Sequence, residues 1–140
     1  MTKLLFVMTG ATYWALKDGT RHATGYWAEE FAAPYKALTE AGHQIVVAGP
    51  KGVVPNVDMM SLRPERAGSA ENALDLGRII RSAEEMRRPI RLSDAHLEDD
   101  DFTRGEIWEP YTVVDRNLYT GQNPASARVL AERLPKEALT

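Results

Sequence analysis

An α/β fold built on a parallel sheet is what this sequence predicts, and three observations carry the prediction. Two short runs, residues 3–8 and 44–48, are continuously apolar after their first residue rather than alternating, the pattern of strands buried on both faces. Between them Trp27, Phe31, Tyr35 and Leu38 recur at steps of four, four and three, which places them on one helical face. Strand, helix and strand in that order open an α/β unit, with a right-handed crossover expected. The 140 residues suffice for one domain.

Each element has its own local signals. Thr9 and Gly10 end the first run, and residues 11–23 show no steady period, so a long loop is expected there. Thr24 suits the cap of a helix starting near Gly25, and Gly42 suits its stop. Residues 49–64 are rich in Gly and Pro and read as an extended loop. Helical patterning returns over residues 69–88, with Leu74, Leu76, Ile79, Ile80 and Met86 as apolar members. Ser82 and Glu85 match a capping box, which predicts two short helices meeting at Ser82, and Pro89 closes the stretch. The acids at 98–101 read as a solvated loop. Residues 111–114 and 118–120 are β-rich, with Asp115-Arg116-Asn117 as a hairpin-like turn between them. Gln122-Asn123-Pro124 shapes the turn into a last helix carrying Val129, Leu130 and Leu134.

Composition removes several functions. Lys and Arg number 17 against 20 Asp and Glu, and the net charge of -3 argues against a nucleic-acid binder. There is no cysteine, which excludes disulfides, thiolate metal sites and cysteine nucleophiles. Residues 4–8 are too short an apolar run for a signal-peptide core or a membrane span, so a cytoplasmic location is the default expectation. His22, His43 and His96 fall in no metal-ligand spacing; His22, in the first loop, is the best placed of them, and no metal or cofactor is expected. No G-x-S-x-G elbow occurs, and Thr9-Gly10 lacks the rest of a phosphate-loop motif. Tyr13, Trp14, Tyr26 and Trp27 suit a pocket or interface, with core packing the commoner fate for Trp27.

Two blocks of the chain carry a resemblance. Residues 4–62 contain Thr24-Gly25-Tyr26-Trp27-Ala28-Glu29-Glu30, Ala33-Pro34-Tyr35, Ala41-Gly42 and Ala48-Gly49-Pro50-Lys51-Gly52. Residues 108–134, from Trp108, contain Val113-Val114-Asp115-Arg116-Asn117-Leu118 and Thr120-Gly121-Gln122-Asn123-Pro124-Ala125-Ser126. In this order the two blocks resemble the ThiJ/PfpI superfamily of class I glutamine amidotransferase-like proteins, in its glyoxalase-III-like and chaperone-like branch. The resemblance implies a flavodoxin-like parallel sheet with flanking helices, formed by one domain over residues 1–140 with blocks at 1–62 and 108–134. It implies glyoxalase III-type small-aldehyde chemistry, amidotransferase-like hydrolysis, or a stress-protective, chaperone-like role. Its partners would be a small aldehyde or unfolded protein, and a second copy in a homo-oligomer such as a dimer.

The departure from the family is as informative as the likeness. Family members carry a P-G-G-H-type strand end after the segment resembling Leu92-Ser93-Asp94, and then a C-H-G-P-type nucleophile elbow. Here Asp99-Asp100-Asp101 runs straight into Phe102-Thr103-Arg104-Gly105. The domain is therefore expected to be truncated in the middle. The resemblance makes Glu30 the catalytic remnant: a first-helix glutamate four residues before a proline, set against a cysteine that this chain lacks. Pro34 would clash with the Glu30 carbonyl, at a cost of about 3 kcal/mol, and bend the helix there. Taken without the resemblance, Glu29 and Glu30 are first-turn acids favoured by the helix dipole.

Three functional expectations follow: a catalytically inactive family member, a holdase or protein-binding module, or an enzyme with a different site involving Glu30 and His22. Loss of central strands is expected to open sheet edges beside residues 3–8 or 118–120 and to bare the Trp27, Phe31 and Leu38 stripe, favouring association.

Overall fold

The computed structural model describes residues 3–95, 106, 109–110, 112–115, 118–121 and 123–137. His96, the acids at 98–101, Trp108, Arg116, Asn117 and Gln122 lie outside the described residues. Strand β1 (Lys3–Val7) pairs in parallel with β4 (Gln44–Gly49), from Lys3 opposite Gln44 to Val7 opposite Ala48. Helix α1 (Ala28–Glu40) joins them. A short third strand, β5 (Ile90–Arg91), extends the sheet in the order β1-β4-β5. This is the expected mixed α/β architecture, a parallel sheet flanked by helices.

The burial of the two apolar runs differs from expectation in one respect. β4 lies between two strands and buries Ile45, Val47 and Ala48, whereas β1 is half-buried at most and Val7 is half exposed. Among the described residues β1 is an edge strand, paired on one side only. Continuous apolarity identified the strand but not its place in the sheet. The two-residue β5 carries no periodic signal, and only its pairing to Ala48 and Gly49 defines it.

Residues 11–23 are not a loop. They form an antiparallel hairpin of β2 (Tyr13–Ala15) and β3 (Arg21–Ala23), with Trp14 directly opposite His22. Asp18 accepts from the Thr20 N–H and hydroxyl at 2.9 and 2.7 Å, and Gly19 takes the left-handed conformation (φ 83) that the turn needs. Those hydrogen bonds hold the Asp18 carboxyl below the usual carboxylate range. The Arg21 guanidinium stacks over the Tyr13 ring at 4.3 Å. Both faces of the hairpin are exposed, so no hydrophobic alternation announces it.

Helix α1 starts three residues after the expected position, with Trp27 as its cap residue. Thr24 instead gives its hydroxyl to Asp58 Oδ2 at 3.3 Å. Gly42 does terminate α1 in the left-handed conformation (φ 82), and the His43 N–H returns to the Leu38 carbonyl at 3.0 Å. The next segment forms a 3-10 turn (Met59–Leu62), then α2 (Pro64–Ala67) and α3 (Ala70–Ser82), the last capped by Ser69 Oγ accepting from the Asn72 N–H. The helix does break at Ser82, but not through a capping box. Ser82 Oγ donates to the Ile79 carbonyl, and a 3-10 turn (Glu84–Arg87) follows from Ala83.

β6 (Thr112–Asp115) and β7 (Leu118–Gly121) form the expected antiparallel pair, separate from the parallel sheet. Asn123 Oδ1 accepts from the Ser126 N–H at 3.2 Å and hydroxyl at 3.1 Å, and so starts α4 (Ser126–Glu137). Helix α4 packs along α1. Leu134, Leu130 and Tyr119 join Tyr26, Phe31, Leu38, Ile45 and Val47 in one core. The expectation of a bared stripe is therefore corrected for Phe31 and Leu38, both fully buried. The two blocks close on each other because each brings an apolar face that water would otherwise wet.

Candidate functional site

The resemblance directs attention to the start of α1, and the chain builds that corner from two segments. Residues 24–26 run beside residues 56–58 in a parallel bridge between Tyr26 and Val57. The Tyr26 N–H donates to the Asn56 carbonyl at 2.9 Å, the Asp58 N–H returns to the Tyr26 carbonyl at 2.8 Å, and Asn56 Nδ2 donates to the Thr24 carbonyl at 2.8 Å. Gly25 sits where a side chain would collide with this partner strand. Asp58 caps the 3-10 turn through the Met60 N–H at 2.9 Å, which brings Ser61 under α1. The fully buried Ser61 Oγ accepts from the Ala28 N–H at 2.9 Å. One of the unpaired N–H groups at the helix start is thus satisfied by a residue 33 positions away.

Glu30 occupies the third position of α1 and turns back to its beginning. Its Oε2 accepts from the Trp27 N–H at 3.1 Å, the reach-back half of a capping box. Trp27 supplies no acceptor in return, because an indole only donates. Half-burial raises the Glu30 carboxyl above its ordinary value, and the Trp27 hydrogen bond opposes that shift in part. Pro34 is buried within the helix, so the Glu30 carbonyl has no N–H four residues on to receive.

No cysteine stands beside this carboxylate, since the chain has none. Among the described residues its hydrogen bond is with main chain alone, and no hydroxyl is set against it as a nucleophile. His22 lies on the exposed hairpin beside Trp14, ring centroids 6.4 Å apart, and makes no hydrogen bond with Glu30. The four aromatic residues separate as well. Tyr26 is core, its hydroxyl pushed up to about 12 by burial. Trp27 is half-buried outside the core cluster, and Tyr13 and Trp14 are exposed on the hairpin. No group of three His, Cys, Asp or Glu side chains able to hold a metal occurs among the described residues. No helix there is long and apolar enough to cross a membrane.

Ser61 and Asn56 escaped the sequence reading because nothing in their own neighbourhood points across the chain to α1. Asp58, three residues before Ser61, was the one available signal of a cap.

No family model matches this sequence, and no curated protein matches it. Solved structures do. Glyoxalase III from Candida albicans superposes with a TM-score of 0.52, covering 95% of this chain and 95% of that one at 15% identity. The chain has the glyoxalase III fold. A second crystal structure, identified by a target number alone, gives a TM-score of 0.51 over 95% of this chain and 96% of that one at 22% identity. At such identities the likeness concerns architecture alone, and the hydrogen bond that Glu30 makes in this chain is that of a helix cap.

A direct check of that role is available. In Glu30→Gln the amide oxygen still accepts from the Trp27 N–H, while the cost of holding a charge in a half-buried place is removed. The variant is expected to be neutral or up to about 1 kcal/mol more stable in urea melts at pH 7. Because the folded carboxyl sits above its unfolded value, its proton is bound more tightly in the folded state. The parent should therefore gain on the variant as pH falls through the raised folded value, with no further gain below 4.5. A clear loss of stability in the variant at pH 7 would give Glu30 a structural role beyond the cap.

Proposed function

We propose that this chain is a ThiJ/PfpI-type protein that has lost thiol catalysis, with the nucleophile-bearing central segment missing. The observation that carries the reading is the complete absence of cysteine from a chain with the glyoxalase III fold. Support comes from Glu30, which bonds to its own helix start, and from β1, which has a strand neighbour on one side only among the described residues. Glyoxalase III-type or amidotransferase-like turnover through a hemithioacetal or thioester needs an activated thiolate, and no residue here supplies one. The purified chain is therefore expected not to convert methylglyoxal to lactate, and iodoacetamide should leave it unmodified at sulfur nucleophiles of the thiol type. Cofactor-independent turnover well above that of boiled protein would defeat the proposal.

A second reading, a chaperone-like holdase or protein-binding module, is favoured by the exposed apolar side chains Trp14, Val54 and Met59. Suppression of light scattering from a heat-denatured client tests it. Association into a homo-oligomer belongs to either reading, and its motive is now the β1 edge, unpaired among the described residues, rather than the α1 stripe. Sedimentation velocity at micromolar concentration is expected to show a dimer or larger species, and a compact monomer would remove that part.

A further inference from the structure

We propose that residues 49–53, together with Arg91, form a site for a compact oxyanion, a phosphate or carboxylate group carried by a small molecule. Strands β4 and β5 are parallel neighbours, so their carboxyl ends open on the same side of the sheet. β4 ends at Gly49 and β5 at Arg91, and the register sets these two residues opposite each other. The chain leaves β4 through a turn closed by the Gly52 N–H donating to the Gly49 carbonyl at 3.1 Å. Pro50 and Lys51 hold its central positions, the residue types a type I turn accepts, and Gly52 follows with φ 64. A right-handed residue followed by a left-handed one makes a nest, whose flanking N–H groups converge on one point. Here those are the N–H groups of Lys51 and Val53, and neither donates to another described group.

Two basic residues border the same turn. The Arg91 side chain lies against Gly52, where a Cβ would meet its Cγ at 3.1 Å, and Lys51 belongs to the turn itself. Both are exposed, and neither joins an ion pair among the described residues. Asp94, the next acid after Arg91, accepts from the Ser93 hydroxyl. The turn is also held firmly. Gly49 faces the Met8 carbonyl, with 3.3 Å available to a Cβ, and Gly10 faces Val53 at 3.2 Å. A paired main-chain nest with a lysine and an arginine beside it recognises a tetrahedral or planar oxyanion and little else. No hydrogen bond or ion pair joins these residues to Glu30 among the described residues, and the proposal draws nothing from the loss of thiol chemistry.

The test is a titration of the ¹⁵N-labelled full chain with sodium phosphate, and separately with sodium acetate, against sodium chloride at matched ionic strength. Phosphate is expected to shift the Lys51, Gly52 and Val53 amides saturably. In the double variant Lys51→Ala, Arg91→Ala the affinity should fall by about tenfold or more. Both replaced side chains are exposed, so a dispersed spectrum of the variant confirms its fold. A stronger response to acetate than to phosphate would assign the same site to a carboxylate-bearing ligand. Absence of a saturable shift at residues 51–53 with either anion, or a shift that the double variant retains in full, would overturn the proposal.

Discussion

Gly25→Ala is expected to cost about 3 kcal/mol or more, because it forces apart the two segments that build the start of α1. An alanine Cβ at this position would lie 2.0 Å from the Asn56 carbonyl oxygen, 2.7 Å from its carbon and 2.8 Å from the Val57 carbonyl carbon. All three are main-chain atoms, so no side chain can swing aside. Relief requires residues 24–26 to separate from residues 56–58. That separation breaks the Tyr26 to Asn56 and Asp58 to Tyr26 hydrogen bonds. It also draws Ser61 away from the Ala28 N–H, leaving a buried donor unsatisfied at the helix start. Gly19→Ala is the control. It has a positive φ of 83 but nothing within 4 Å, and should cost no more than about 1 kcal/mol from backbone strain. Urea melts of the two variants side by side make the comparison. A Gly25→Ala protein as stable as the parent would mean that the two segments do not touch.

Phe31→Ala should be at least as damaging, at about 4 kcal/mol. Phe31 is fully buried and touches three other rings. It stacks on Tyr35 at 4.9 Å and meets Phe6 and Tyr26 edge-on at 5.8 and 6.1 Å. Those rings come from α1, β1 and the segment before α1, so a single truncation loosens three elements together. The cavity cannot close easily, because Leu38 and Val47 beside it are themselves fully buried. A loss of that size is a large part of the 5 to 15 kcal/mol, roughly, that holds a domain folded. Near-ultraviolet circular dichroism should weaken along with the urea midpoint, since the lost ring anchors an aromatic cluster. Leu74→Ala, on the exposed side of α3, should change stability by less than about 0.5 kcal/mol. Equal effects of the two substitutions would contradict the placement of the core.

The sequence by itself determined the fold class, and it did so through patterns that survive without neighbours. Continuous apolar runs marked β1 and β4, the spacing from Phe31 to Leu38 marked the buried side of α1, and Gly42 marked its end. The β6–β7 pair and α4 were legible for the same reason: β-rich segments, turn residues and a helix start are local. The absence of cysteine, on which the proposed function rests, is a property of composition and needs no structure at all. Tertiary structure alone decided the rest. The β2–β3 hairpin rests on an Asp18–Thr20 turn and on ring contacts across its strands, and with both faces in water it has no apolar alternation to display. Capping of α1 passed from Thr24, the local candidate, to Ser61 and Glu30, because the 24–26 and 56–58 segments pair through main-chain groups that every sequence possesses. The α1 face expected to lie bare was covered by α4, whose own apolar side had lacked a partner in any reading of the chain one segment at a time. Burial and long-range hydrogen bonds depend on which segments meet, and periodicity within one segment carries no record of the other.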